Sequence, residues 1–153
     1  LKALGEAPVI KLKVDRIGLD PQQSSAVVVL KDEAGRRLLP VSIGGFEAQS
    51  IAMVLQGIHS ARPLTHDLLK AVLDALDVTV SKVLIDDLRE QVFYAQITLN
   101  VDGRTVEIDS RPSDAVALAV RCKCPIFALE HVLSAAGVAE MDTGDPEEDP
   151  TVH

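Results

Sequence analysis

The sequence predicts an α+β domain: two strand–strand–strand–helix repeats, intertwined or packed together, on a mostly antiparallel sheet with a connecting helix. Three observations lead there. Tight hairpin signals join neighbouring apolar strands, most clearly Asp102-Gly103 between Val92–Val101 and Arg104–Asp109. The helical patterns are short and fall between groups of strands. The two halves also superimpose. When Glu47-Ala48 is laid on Asp114-Ala115, Ile51-Ala52 falls on Leu118-Ala119, Arg37 on Arg104, Leu39 on Val106, Val41 on Ile108 and Leu30 on Ile97, with no gap.

Each element has its own signal. Val9 to Leu19 reads as a strand with Ile10, Leu12 and Val14 on one face. The turn-rich stretch 20–25 leads to a continuous apolar strand, Ala26 to Leu30, and residues 31–36 form a hairpin loop before Arg37 to Ile43. Gly44-Gly45 breaks the pattern. A helix from about Phe46 to Gln56 places Ala48, Ile51, Ala52 and Leu55 on one face, and Gly57 stops it. Thr65 is the expected cap of a second helix, whose Leu68, Leu69, Val72, Leu73 and Leu76 make an apolar stripe. A strand from Val78 to Asp86 ends in a polar loop, Asp87 to Gln91. After the Asp102-Gly103 hairpin comes a polar corner, Asp109-Ser110-Arg111-Pro112-Ser113-Asp114. Ser113 is the expected cap of a helix with Ala and Val on nearly every side, which is the composition of a buried helix. Pro125 to Leu129 is a short strand, and Glu130 to Ala136 a short helix ended by Gly137.

With 47% hydrophobic residues and only 3% aromatics, Leu, Val, Ile and Ala must build the core. One domain is expected over residues 1–138, followed by an acidic disordered tail over 139–153. That tail carries six acidic residues and no Lys or Arg. Setting them aside reduces the formal net charge from −8 to −2 for the rest of the chain. The folded part therefore lacks the basic surplus of a strong nucleic-acid binder. No apolar run is long enough to span a membrane, and no secretory pattern opens the sequence. Cys122 and Cys124 are too close in sequence for an ordinary disulfide and lack the second pair of a zinc site, so reduced thiols and a cytoplasmic setting are expected.

Phosphodiester hydrolysis with a divalent metal needs carboxylates converging on Mg²⁺ or Mn²⁺. Asp109 and Asp114 flank one corner and are the candidate pair, for catalysis and for the metal. The plainer alternative is that Asp114 complements its helix dipole while Asp109 pairs with Arg111. His66 and Asp67 are further catalytic candidates: an imidazole beside a carboxylate suits a general base or a metal ligand. Against this, adjacent helical residues do not face each other, and Thr65, His66 and Asp67 also make a dipole-matched first turn. Arg62 and Arg111 could fork onto a phosphate, with Ser113 beside them. Gly44-Gly45 lacks the further residues of a phosphate loop.

These segments also occur together in a recognisable order: Leu39-Pro40-Val41-Ser42-Ile43-Gly44, Phe46-Glu47-Ala48, Arg62-Pro63-Leu64-Thr65-His66-Asp67-Leu68 and Asp109-Ser110-Arg111-Pro112-Ser113-Asp114-Ala115. In this combination the chain resembles the bifunctional nuclease family over roughly residues 8–138. The resemblance implies an α+β domain and cleavage of both RNA and DNA, as described for plant members. Plant members also carry a C-terminal helical-hairpin module, for which the acidic tail shows no counterpart. Two readings follow. One is a nuclease acting on RNA or DNA through Asp109, Asp114 and nearby groups. The other is a non-catalytic regulatory or interaction module working as a homo-oligomer, with a dimer the expected form. Binding of a small anion between Arg62 and Arg111 is a third.

Overall fold

The hairpins and helices fold onto one eight-stranded sheet, seen in a computed structural model that describes residues 8–20, 22 and 25–140. The strands are β1 (Val9–Asp20), β2 (Ser25–Asp32), β3 (Arg37–Gly44), β4 (Thr79–Arg89), β5 (Val92–Val101), β6 (Arg104–Ser110), β7 (Ile126–Leu129) and β8 (Val138–Ala139). The helices are α1 (Gly45–Leu55), α2 (Thr65–Ala75), α3 (Pro112–Cys122) and α4 (Glu130–Ala136). The sheet order is β6-β5-β4-β7-β1-β2-β3-β8. Every neighbouring pair is antiparallel except β4 with β7. The expected α+β class and mostly antiparallel sheet are therefore what the chain adopts. β7 lies between the two three-stranded groups, parallel to β4 and antiparallel to β1.

Local chemistry fixes the hairpins. Asp32 Oδ1 accepts the backbone N–H groups of Ala34 and Gly35, which closes the β2–β3 turn. Asp102 and Gly103 both take positive φ, 50° and 78°, as a two-residue turn matched to strand twist requires. The polar loop expected from Asp87 to Gln91 is shorter than that. β4 continues to Arg89, and Glu90 and Gln91 turn the chain with φ of 48° and 65°. Neither residue is a customary turn former, so the sequence marked a polar loop here but not a two-residue turn.

Helix starts also differ from expectation. α2 is capped at Leu64, whose N–H is accepted by Asp67 Oδ2 at 2.9 Å; Thr65 is the first helical residue. α3 is capped at Arg111, with Pro112 and Ser113 already inside the helix. Proline suits that position because its missing N–H would have had no helical partner.

α3 is the centre of the core. Ala115, Val116, Ala117, Leu118 and Ala119 are buried, and the helix packs against α1, α2, β4 and β5. Truncating Leu118 to Ala would cost about 2–5 kcal/mol. α2 is different: Leu73 reaches the core, whereas Leu68 and Leu76 are 56% and 68% exposed, with Leu69 and Val72 also open. The chain remains ordered just past position 138. β8 pairs with β3, and Glu140 bonds Lys31 at 2.7 Å; the rest of the acidic tail lies outside the described residues.

Candidate functional site

The first turns of α1, α2 and α3 converge on one cleft of about 530 Å³. Glu47 and Asp114 are the third residues of α1 and α3, and Ser50 lies one turn beyond Glu47 on the same side of α1. His66 is the second residue of α2. Phe46, Glu47, Ser50, His66, Arg111 and Asp114 all line the cleft.

Their side chains form a continuous chain of hydrogen bonds. Ser50 Oγ lies 2.7 Å from His66 Nδ1, and His66 Nε2 lies 2.8 Å from Asp114 Oδ1. Arg111 Nε donates to the other oxygen of Asp114 at 2.8 Å, and Arg111 Nη2 donates to Glu47 Oε1 at 3.1 Å. Gly44 makes room for this arrangement, since a Cβ there would collide with the Glu47 carboxylate. Burial would push the Asp114 carboxyl up, but the bonds from His66 and Arg111 outweigh it and hold the group below its ordinary value. Asp114 is therefore ionised at neutral pH and can only accept. It follows that His66 Nε2 carries the proton. In the neutral ring Nδ1 is then the acceptor, and Ser50 Oγ–H donates to it.

A second arrangement supports the first from beneath. Arg121, buried at the end of α3, donates to Asp67 Oδ1 at 2.7 Å and to the carbonyl oxygens of Ala117 and Ser50. The Arg121 bond and the Leu64 N–H hold the Asp67 carboxyl below its ordinary value, against the opposing effect of burial. α2 is thereby fastened to α3, and His66 is aimed at Asp114.

The sequence candidates thus separate. His66, Asp114 and Arg111 come together in the cleft. Asp67, expected to work beside His66, instead ties α2 to Arg121. Asp109 is exposed on β6, near Asp86, and does not line the cleft. Ser113 is buried and borders an adjacent depression with Ser42 and Gly44. Arg62 is exposed and lines neither space. The expected metal pair, Asp109 and Asp114, does not meet in this cleft, and both Asp114 oxygens already accept N–H donors. Among the described residues, no group of three or more His, Cys, Asp and Glu side chains could hold a metal ion. The described residues therefore form no all-protein cage for Mg²⁺ or Mn²⁺.

Ser50, Phe46 and Arg121 were not singled out by sequence. Ser50 lies between the apolar positions Ala48 and Ile51 of α1. Its signal was its spacing, one helical turn after Glu47. Phe46 is 89% exposed at the cleft, an unusual place for one of only three phenylalanines.

Comparison with known proteins shows the family. A family model described as "Bifunctional nuclease domain" matches residues 28–141, which include α1, α2 and α3 and every cleft residue named above. An uncharacterized protein of Mycobacterium tuberculosis is 38% identical over 144 residues, covering 94% of this chain and 83% of its own. Bifunctional nuclease 1 of Arabidopsis thaliana is 29% identical over 121 residues, and bifunctional nuclease 2 of Oryza sativa subsp. japonica 26% over 120 residues. In both plant cases 76% of this chain is matched, but only 37% of the plant protein. The chain therefore spans a little over a third of those plant relatives, and it belongs to the bifunctional nuclease domain family.

Proposed function

We propose that the chain is a nuclease domain that hydrolyses phosphodiester bonds of RNA and DNA in the cleft between α1, α2 and α3, with His66 as the proton-transfer group. The observation that carries this reading is the bond from His66 Nε2 to Asp114 Oδ1 at 2.8 Å. It fixes the imidazole tautomer and leaves Nδ1 unprotonated, an acceptor already facing the Ser50 hydroxyl. Arg111 at the rim supplies a guanidinium for phosphate oxygens. The exposed ring of Phe46 offers a face on which a base can stack. Single strands fit this arrangement, because their unpaired bases can reach the exposed ring of Phe46.

Mg²⁺ or Mn²⁺ would have to draw most of its ligands from substrate phosphate and water, so the assay includes each ion and a chelator. Purified protein is incubated with labelled RNA and single-stranded DNA, beside His66→Asn and Asp114→Asn variants. Loss of about 10²–10⁴-fold in both variants is expected. Equal cleavage by all three proteins would remove the reading.

Self-association is a second part of the proposal, supported by the exposed face of α2. Leu68, Leu69, Val72 and Leu76 form a contiguous apolar surface that a second copy would cover as a dimer. Sedimentation of wild type and Leu68→Glu tests it: the variant should be monomeric, and a wild-type monomer at tens of micromolar would remove it. No described helix is long and apolar enough to cross a membrane. The free thiols of Cys122 and Cys124 suit the reducing cytoplasm, where we place the protein.

A further inference from the structure

We propose that Ser50 is a nucleophile, so that cleavage in this cleft passes through a covalent phosphoseryl intermediate; this rests on the nuclease reading above. Three groups meet the requirements of an activated serine. Ser50 Oγ is 2.7 Å from His66 Nδ1, the ring nitrogen left unprotonated by the bond to Asp114. Asp114 orients the ring and is itself held by Arg111. A serine in mid-helix with only a packing role commonly turns its hydroxyl back to a carbonyl one turn earlier. The hydroxyl of Ser50 instead meets the imidazole.

Position supports the same role. Ser50 and His66 are only 5% and 7% exposed, yet both line the cleft. The hydroxyl is carried on a helix whose Ala48 and Ile51 are fully buried, so its location is fixed before substrate arrives. Arg111 and the first turns of α1 and α3 lie beside it, where they can offset charge on the non-bridging phosphate oxygens.

The step balances without any oxidant or cofactor. Ser50 Oγ forms a bond to phosphorus while its proton passes to His66 Nδ1. The bond from phosphorus to the leaving nucleoside oxygen breaks, and that oxygen takes the proton from Nδ1. A water then gives a proton to Nδ1 and its oxygen bonds to phosphorus. The P–Oγ bond breaks, and Ser50 regains its proton. The net reaction is diester plus water to monoester plus alcohol.

Two readouts test this. The full chain is mixed with a short labelled oligonucleotide, quenched in acid and mapped by peptide mass spectrometry. Separately, it is treated with a fluorophosphonate probe, which labels activated serines without nucleic-acid binding. The expected result is an adduct on Ser50, a loss of cleavage of 10³-fold or more in Ser50→Ala, and fluorophosphonate labelling of Ser50 slowed about 10³-fold in Asp114→Asn. Ser50→Cys keeps a group able to meet Nδ1 and serves as the folded control if the alanine variant is unstable. If wild type cleaves but shows no adduct, and Ser50→Ala cleaves within threefold of it, the nucleophile is overturned and the nuclease reading stands. If wild type cleaves neither RNA nor DNA while the probe labels Ser50, the nucleophile stands and the nucleic-acid substrate is wrong. If neither occurs, both are overturned.

Discussion

His66 Nε2 and Asp114 Oδ1 lie 2.8 Å apart although 48 positions separate them in the chain. The bond joins the first turn of α2 to the first turn of α3 and determines which imidazole nitrogen holds the proton. Asp114→Asn tests this directly. An amide nitrogen facing Nε2 would favour the other tautomer, leaving Nδ1 protonated and unable to receive a proton. Activity should fall about 10³–10⁴-fold while the fold, followed by circular dichroism, is retained. A fall of less than tenfold would show that tautomer control is not the role of Asp114.

Phe46→Ala addresses substrate binding. The ring is almost wholly exposed, so its loss should leave the melting temperature within about 2 °C of wild type. Removing one base-stacking face should weaken single-strand binding by about 1–3 kcal/mol, roughly 5- to 150-fold in Kd. Fluorescence anisotropy with a labelled oligonucleotide reads the change. A matching loss of stability would instead place the ring in the fold.

The Asp67–Arg121 pair predicts a pH-dependent stability. The folded-state value of Asp67 is depressed, first by the Arg121 hydrogen bond and then by the Leu64 N–H. A depressed carboxylate contributes stability that is present above its ordinary value of 3.8 and is lost as pH falls through the folded value. Asp67→Asn should therefore be less stable than wild type at pH 7 by about 1–2 kcal/mol, a figure discounted because Asp67 is partly open to solvent. In denaturant titrations repeated across pH, the gap should begin to narrow below about pH 4 and close once pH passes below the depressed folded value. A gap independent of pH would mean that the charge on Asp67 is immaterial.

Thiol labelling checks the packing at the end of α3. Burial pushes the Cys124 thiol up from 9.0 to about 11. That lowers its thiolate fraction near neutral pH about 100-fold, so native Cys124 should react with iodoacetamide about 100-fold more slowly than in denaturant. Peptide mapping separates it from Cys122. Fast labelling in the native protein would contradict this environment.

Much of the fold was legible because it depends on local patterns. Alternating strands, the Asp102-Gly103 turn and the all-apolar face of α3 each report their own surroundings. The order of the elements followed from them. The Glu90–Gln91 turn was hidden because nothing in those side chains favours positive φ. The hairpin pairing of β4 with β5 holds that conformation in place. The open stripe on α2 was equally hidden, since a helical period marks an apolar face without saying what covers it.

The candidate site divides along the same line. The sequence by itself determined that His66, Arg111 and Asp114 stand at polar helix starts, because capping and dipole preferences act within a turn. Only the tertiary structure decided their partners: Asp114 for His66 in place of Asp67, and Arg121 for Asp67. It also brought Ser50 against the imidazole and left Asp109 outside the cleft. The physical reason is range. Periodicity and capping are set by neighbours within about four residues, whereas a hydrogen bond between side chains of different helices depends on how those helices pack.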